Sequence, residues 1–202
     1  MIKNIVFDYG DVFINLDKKA TAEELAKLGV TEFTDEMRDL CFEYEMGMIS
    51  TDAFVQTVTK MYPQISREEF IDAWNAILKD FPLHRLEFLK ELAASKKYRL
   101  FLLSNTNDLH ISWIKKDWGE GLYTEFMSYF EKFYLSHEIN LRKPDKDIYE
   151  FVLRENNLVA SETIFIDDTK ENTDAAKELG KNVWHIDPET EDIVNLLKRI
   201  EF

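Results

Sequence analysis

The sequence predicts an α/β fold: a parallel sheet with helices on both faces and a helical segment inserted after the first strand. Three observations predict it. Short apolar runs recur along the chain, amphipathic stretches separate them, and residues 18–80 break the alternation with helical patterns and no clear strand. Alternating strand and helix is the signature of a parallel sheet, whose buried strands read as brief apolar runs.

Residues 2–8 are the first run and end at Asp8. The second, 98–103, ends at Ser104, and 132–135 is a weaker third. The fourth, 162–166, ends at the pair Asp167-Asp168, and 182–186 is the fifth. Helical periodicity covers 84–95, 108–117, 145–156, 171–179 and 189–199. Within the insertion, Thr21-x-x-Glu24 and Ser66-x-x-Glu69 read as capping boxes, in which a hydroxyl and a carboxylate satisfy orphan amides at a helix start. Ser50-Thr51 precedes another helix, which Pro63 ends. The expected division is a Rossmann-like core of residues 1–16 and 84–202 around a helical cap of residues 17–83.

Composition narrows the function. The chain has 202 residues, with 25 Lys+Arg against 39 Asp+Glu and a net charge of −14. No global positive field exists to displace counterions from a phosphate backbone or to dock on an anionic membrane. An apolar share of 45% suffices for a packed core. A single cysteine, Cys41, cannot form an intramolecular disulfide, and no apolar run approaches a membrane span. The start of the chain lacks the pattern of a secretory signal, so a cytoplasmic monomer or homodimer is expected.

The chemistry is concentrated at strand ends. In an open parallel sheet, ligands bind outside the carboxyl ends of the strands, where Asp8, Ser104, Asp167 and Asp168 would converge. Each alone reads as a turn former or helix cap; together they define a crevice. Crowded carboxylates raise their pKa values or recruit a cation, and an all-oxygen site suits Mg²⁺. The four histidines, at 84, 110, 137 and 185, lack the spacing of a zinc site. Lys143-Pro144, in the loop before the helix at 145, would bring a cation to an anion.

The set Ile5-Val6-Phe7-Asp8, Leu102-Leu103-Ser104-Asn105, Arg142-Lys143-Pro144 and Phe165-Ile166-Asp167-Asp168 resembles, in order and spacing, the four motifs of the haloacid dehalogenase superfamily. The insertion is similar to that superfamily's C1 cap. Phe7-Asp8-Tyr9-Gly10-Asp11-Val12, Glu45-Met46-Gly47-Met48-Ile49-Ser50 and Ser104-Asn105-Thr106-Asn107 resemble more closely the branch containing alpha-D-glucose-1-phosphate phosphatase. The resemblance implies a phosphatase acting on a small phosphorylated metabolite, a sugar phosphate, through an aspartyl-phosphate on Asp8. It also implies Mg²⁺ held by Asp8, the Gly10 carbonyl, Asp168 and Asp167, and a phosphoryl group held by Ser104, Asn105 and Lys143. Glu45, Met46 and Met48 would face the core from the cap and touch substrate, although Met46 and Met48 also fit a helical core.

One position departs from the family pattern. Most family phosphatases carry a second Asp two residues after the nucleophile, which protonates the leaving oxygen; here Gly10 stands there and Asp11 follows. A backbone carbonyl survives that change and a side-chain acid does not, at a cost of about 10²–10⁴ in rate. Two other readings stay open. A 2-haloacid dehalogenase needs no proton for its leaving group, although an acidic pair at the last motif favours phosphate. A phosphatase-like binding protein would have lost catalysis.

Overall fold

The computed structural model describes residues 1–200. Five strands pair in parallel in the order β3-β2-β1-β4-β5: β1 (Asn4–Phe7), β2 (Arg99–Ser104), β3 (Lys132–Leu135), β4 (Thr163–Asp167) and β5 (Asn182–His185). The α/β fold class is as the strand-helix alternation predicts. Side chains alternate across the sheet, as a period of two requires. Ile5, Phe7, Leu100, Leu102, Ile164 and Ile166 pack into one apolar cluster, and Val6, Phe101, Leu103 and Phe165 into another on the opposite face.

Helices α1 (Ala20–Lys27), α2 (Asp35–Glu45), α3 (Thr51–Met61) and α4 (Arg67–Asn75) follow β1 and gather around a third cluster that includes Leu25, Met37, Tyr44, Phe54, Val58 and Phe70. Seven more helices are distributed between and after the remaining strands. They are α5 (Leu83–Ser95), α6 (Asp108–Trp118), α7 (Glu120–Ser128), α8 (Ser136–Ile139), α9 (Lys146–Glu155), α10 (Lys170–Glu178) and α11 (Leu197–Ile200). No described helix is long and apolar enough to cross a membrane.

The Ser66 capping box forms as the sequence predicts, with Ser66 and Glu69 each bonding the other's backbone. The Thr21 box does not. Helix α1 begins two residues earlier, at Ala20, and the Thr21 hydroxyl donates to the Trp74 carbonyl at 3.1 Å, tying α1 to α4. The helix expected over 189–199 is a 3₁₀ turn at Ile193–Asn195 followed by α11. The Asp192 side chain accepts from the Val194 amide, while Glu191 is held by Trp184 Nε1 and the Asp187 amide, so local bonds outcompete a continuous helix. Helix α7 was not legible: Gly119 (φ 80°) separates it from α6, and its inward residues Tyr123 and Phe126 give no strong stripe.

Strand order places the site. The chain runs outward from β1 through β2 to β3, then crosses to β4 and β5 on the other side. The carboxyl ends of β1 and β4 flank that switch point, where a crevice opens between outgoing loops.

Candidate active site

Phe7 is in register with Ile166 across the β1–β4 pair, and the Asp8 amide donates to the Ile166 carbonyl at 2.8 Å. This sets Asp8 beside Asp167 at the sheet's carboxyl edge. Both are buried, and ligand oxygens of Asp8, Asp167 and Asp168 lie within 4.8 Å of one another. Lys143 reaches into the cluster from the loop before α9. Its side chain is 1% exposed, and its Nζ donates to Asp8 Oδ1 at 2.7 Å and to Asp167 Oδ2 at 2.6 Å.

Burial opposes charge on Lys143, but the Asp167 and Asp8 carboxylates outweigh it and hold the ammonium above the ordinary lysine range. Burial also lifts the Asp8 carboxyl to about 7, with repulsion from Asp167 and Asp168 adding to the rise and Lys143 opposing it. Asp168 is raised by burial, against the pull of Lys18. Asp8, Asp167 and Asp168 against Lys143 and the half-exposed Lys18 leave a surplus of negative charge and of hard oxygen donors. That set fits Mg²⁺ and does not fit a soft metal.

The predicted residues divide into two groups. Asp8, Gly10, Glu45, Ser104, Asn105, Lys143 and Asp168 line one crevice of about 420 Å³. Asp167 stands behind it with both carboxylate oxygens occupied by Lys143 Nζ, the Thr169 amide and the Asn172 amide group. A carboxylate so fully engaged orients Lys143 more readily than it binds a metal. Asn172 is itself fixed, its carbonyl accepting from the Tyr149 hydroxyl at 2.9 Å.

The Asn105 side chain is also committed. It donates one Nδ2 proton to the Lys143 carbonyl and accepts from the Lys143 amide, each at 2.8 Å, so it clamps the lysine loop at the rim of the crevice. The Ser104 hydroxyl makes only a long 3.4 Å bond to the Asn105 carbonyl and is able to turn toward a ligand. Of Glu45, Met46 and Met48, only Glu45 lines the crevice. Met48 is 63% exposed, and neither Met46 nor Met48 lines it. Gly47 (φ 65°) turns the chain sharply after α2, where a Cβ would meet the His137 carbonyl oxygen at 2.0 Å. The loop is pinned by Asn140 Nδ2 on the Met46 carbonyl and by Ser136 Oγ on the Glu45 carbonyl, both at 2.7 Å. These residues dock the inserted helices on the core, and Met48 is swung to solvent.

Two candidates for proton transfer are removed by geometry. Asp11 (φ 54°) is committed, accepting from the Leu16 amide at 2.9 Å and pairing with Lys18 at 3.3 Å. His110 belongs to a closed network. Asn107 Oδ1 accepts from Trp74 Nε1 and the His110 amide, so Asn107 Nδ2 donates to His110 Nδ1 and His110 Nε2 donates to the Trp74 carbonyl. Burial pushes this imidazole down to about 4, and it stays neutral in the wall. At Gly10 the side-chain space is filled instead by Leu16, whose Cδ1 lies 2.6 Å from where a Cβ would stand.

Sequence reasoning missed Lys18, which lines the crevice and bonds Asp168 while pairing with Asp11. It also missed Ser136, fully buried, which joins Thr106 to the loop after α2. Neither lies in a motif; both meet the site through long-range contacts.

A family profile described as haloacid dehalogenase-like hydrolase matches residues 5–186. D-ribitol-5-phosphate phosphatase of Bacteroides thetaiotaomicron is 31% identical over 186 residues, covering 89% of each chain. Glyceraldehyde 3-phosphate phosphatase of Methanocaldococcus jannaschii is 27% identical over 198 residues, covering 89% of this chain and 82% of that one. Among solved structures, a haloacid-dehalogenase-family enzyme from Bacteroides thetaiotaomicron, in complex with magnesium and inorganic phosphate, superposes with a TM-score of 0.86. It is 32% identical, over 98% of this chain and 99% of that one.

Proposed function

The chain belongs to the haloacid dehalogenase-like hydrolase family and is a phosphatase, and on that premise we propose that it hydrolyses a small phosphorylated carbohydrate through an aspartyl-phosphate on Asp8. The observation that carries this reading is Lys143, an almost fully buried ammonium held between Asp8 and Asp167. A buried cation beside a buried carboxylate offsets part of the charge of an incoming phosphoryl group and of the adduct it leaves.

Asp8 would attack phosphorus with one carboxylate oxygen, forming an O–P bond as the ester O–P bond breaks. Water would then attack phosphorus, releasing phosphate and restoring Asp8. The Ser104 hydroxyl and Lys143 would hold phosphoryl oxygens, and Asp167, Asn172 and Asn105 would keep Lys143 in place. The cofactor is Mg²⁺, as in the magnesium complex of the related enzyme; Asp8, Asp168 and the Gly10 carbonyl are the groups that would hold it. When bound, Mg²⁺ neutralises charge developing on the transferred phosphoryl group.

The family's general-acid position is glycine here, and Asp11 and His110 are engaged elsewhere. The leaving alkoxide would draw its proton from solvent, so esters of more acidic alcohols should react faster. On this reading residues 17–83 form a cap over a core of 1–16 and 84–202. The branch that the motifs resemble and the relatives named for ribitol and glyceraldehyde phosphates share small phosphorylated carbohydrates as substrates, the class proposed here.

The test is phosphate release from an aryl phosphate with and without Mg²⁺, for wild type and Asp8→Asn. Metal-dependent turnover that the variant loses is expected. Halide release from a 2-haloacid in place of phosphate release would overturn the proposal.

A further inference from the structure

Glu45 and Arg142 line the phosphate crevice and also a second cavity of about 260 Å³ between the inserted helices and α6. They are the shared wall, so whatever chain is esterified to the phosphate must pass them to enter the second space. Arg142 Nε donates to Glu45 Oε2 at 3.0 Å, and the guanidinium lies over the Phe42 ring at 4.2 Å. The two side chains are 19% and 26% exposed. Their charges cancel, but their hydrogen-bonding capacity does not. Among the described residues, Nη1 and Nη2 of Arg142 and Oε1 of Glu45 have no hydrogen-bond partner. A guanidinium carries five donors and a carboxylate about four acceptor positions, so most of both remain open.

The rest of the cavity reads chemistry weakly. His110, Asn107, Trp74 and Thr21 bond one another, which leaves the Trp74 ring and Ile77 as apolar surface. At about 260 Å³ the cavity falls below the ~300–1,000 Å³ of sites for drug-sized ligands, which suits a short chain.

The geometry points to the Glu45–Arg142 pair as a hydroxyl reader, making the substrate a short, neutral polyol phosphate and not a phosphorylated acid or amine. This rests on the phosphatase reading above. A hydroxyl donates to Glu45 Oε1 and accepts from Arg142 Nη, using both open halves of the pair. A carboxylate on the substrate would face Glu45, and an ammonium would face Arg142, so each is rejected by one member.

The experiment compares kcat/KM for four esters in wild type and Glu45→Gln: a pentitol phosphate, pentyl phosphate, a phosphorylated hydroxy acid and an aryl phosphate. Wild type should prefer the polyol ester to the alkyl ester by about tenfold to a hundredfold, the worth of a hydrogen bond to a charged group. In Glu45→Gln that ratio should fall at least tenfold. The phosphorylated acid should gain relative to the polyol, because Arg142 loses its counter-charge; a merely structural role would not produce that inversion. Arg142→Gln should lower the polyol ratio without the gain for the acid. Wild-type ratios near one, or ratios unmoved in a folded Glu45→Gln protein, would overturn the assignment. Failure of wild type on every ester, the aryl phosphate included, would instead overturn the phosphatase reading, and this inference with it.

Discussion

Replacing Gly10 by Asp restores the carboxylate that family phosphatases use on the leaving oxygen, and the structure sets its cost. A Cβ at position 10 would stand 2.6 Å from Leu16 Cδ1 and 3.4 Å from its Cγ, so the methyl must retreat by about 1 Å to reach the ~3.5–4.0 Å of ordinary contact. Overpacking of this kind costs about 1–3 kcal/mol. The obstructing atom is the far end of a half-buried leucine, so Gly10→Asp should fold, and adding Leu16→Ala should relieve the strain. The gain is chemical. General acid help is worth about 10²–10⁴ where the leaving alcohol is a poor acid, and little where it is already acidic. The assay is the ratio of kcat/KM for an alkyl phosphate to that for an aryl phosphate. It should rise by at least tenfold in Gly10→Asp/Leu16→Ala over wild type, with Leu16→Ala alone leaving it flat. An unchanged ratio in the folded double variant would refute the claim that protonation of the leaving oxygen is what this site lacks.

Other outcomes follow from the same geometry. Lys143→Met should abolish turnover and lower stability by about 3–5 kcal/mol in urea unfolding, because it leaves two buried carboxylates unpaired; adding Asp167→Asn should recover part of the stability and none of the activity. Asn105→Ala should reduce kcat while leaving the fold intact, since it releases both bonds to the Lys143 backbone; unaltered kcat would show that the clamp is dispensable. Chelation should remove activity and added Mg²⁺ should restore it. Lys181 provides a pH test away from the site. It is 5% exposed, with one 3.5 Å bond to the Tyr149 carbonyl and its Nζ 4.6 Å from the Tyr149 ring centroid, and burial lowers its ammonium to about 7. Below that pH the folded and unfolded chains are both protonated, so the full cost of burying the charge is present, about 5 kcal/mol. Between about 7 and 10.5 only the unfolded chain holds the proton, so stability rises with pH. Lys181→Met should therefore be more stable than wild type at pH 7, with the difference shrinking by pH 9.5 in chemical unfolding; a difference constant with pH would contradict this.

The strands and their polar ends were readable because each carries its own signal, an apolar run closed by Asp8, Ser104 or Asp167. The sheet then brings those ends together, which period and topology rules anticipate. What residue type alone could not convey is how each side chain spends its hydrogen bonds. Asn105 has the chemistry of a phosphate ligand, and its side chain also bonds the backbone of Lys143 on both sides, 38 positions away. Asp167 has the chemistry of a metal ligand, but Lys143, Thr169 and Asn172 saturate it. Met46 and Met48 read equally as core or contact; neither joins an apolar cluster or lines the crevice, and Gly47 between them lets the loop press on the His137 backbone. Lys18, Ser136 and Arg142 acquire their places only through tertiary contact. The net charge of −14, which set polyanions aside, is compatible with a phosphate site because Lys143 is concentrated where the acidic residues converge.

The central claim is that Asp8 carries the phosphoryl group. Its direct test is rapid quenching of the Mg²⁺-loaded enzyme during turnover of a phosphate ester, reductive trapping of any acyl-phosphate, and peptide mass mapping. A single modified residue is expected, Asp8, its adduct formed and consumed at rates compatible with kcat, and no adduct in Asp8→Asn. Modification at another residue, or full turnover persisting in Asp8→Asn, would contradict it.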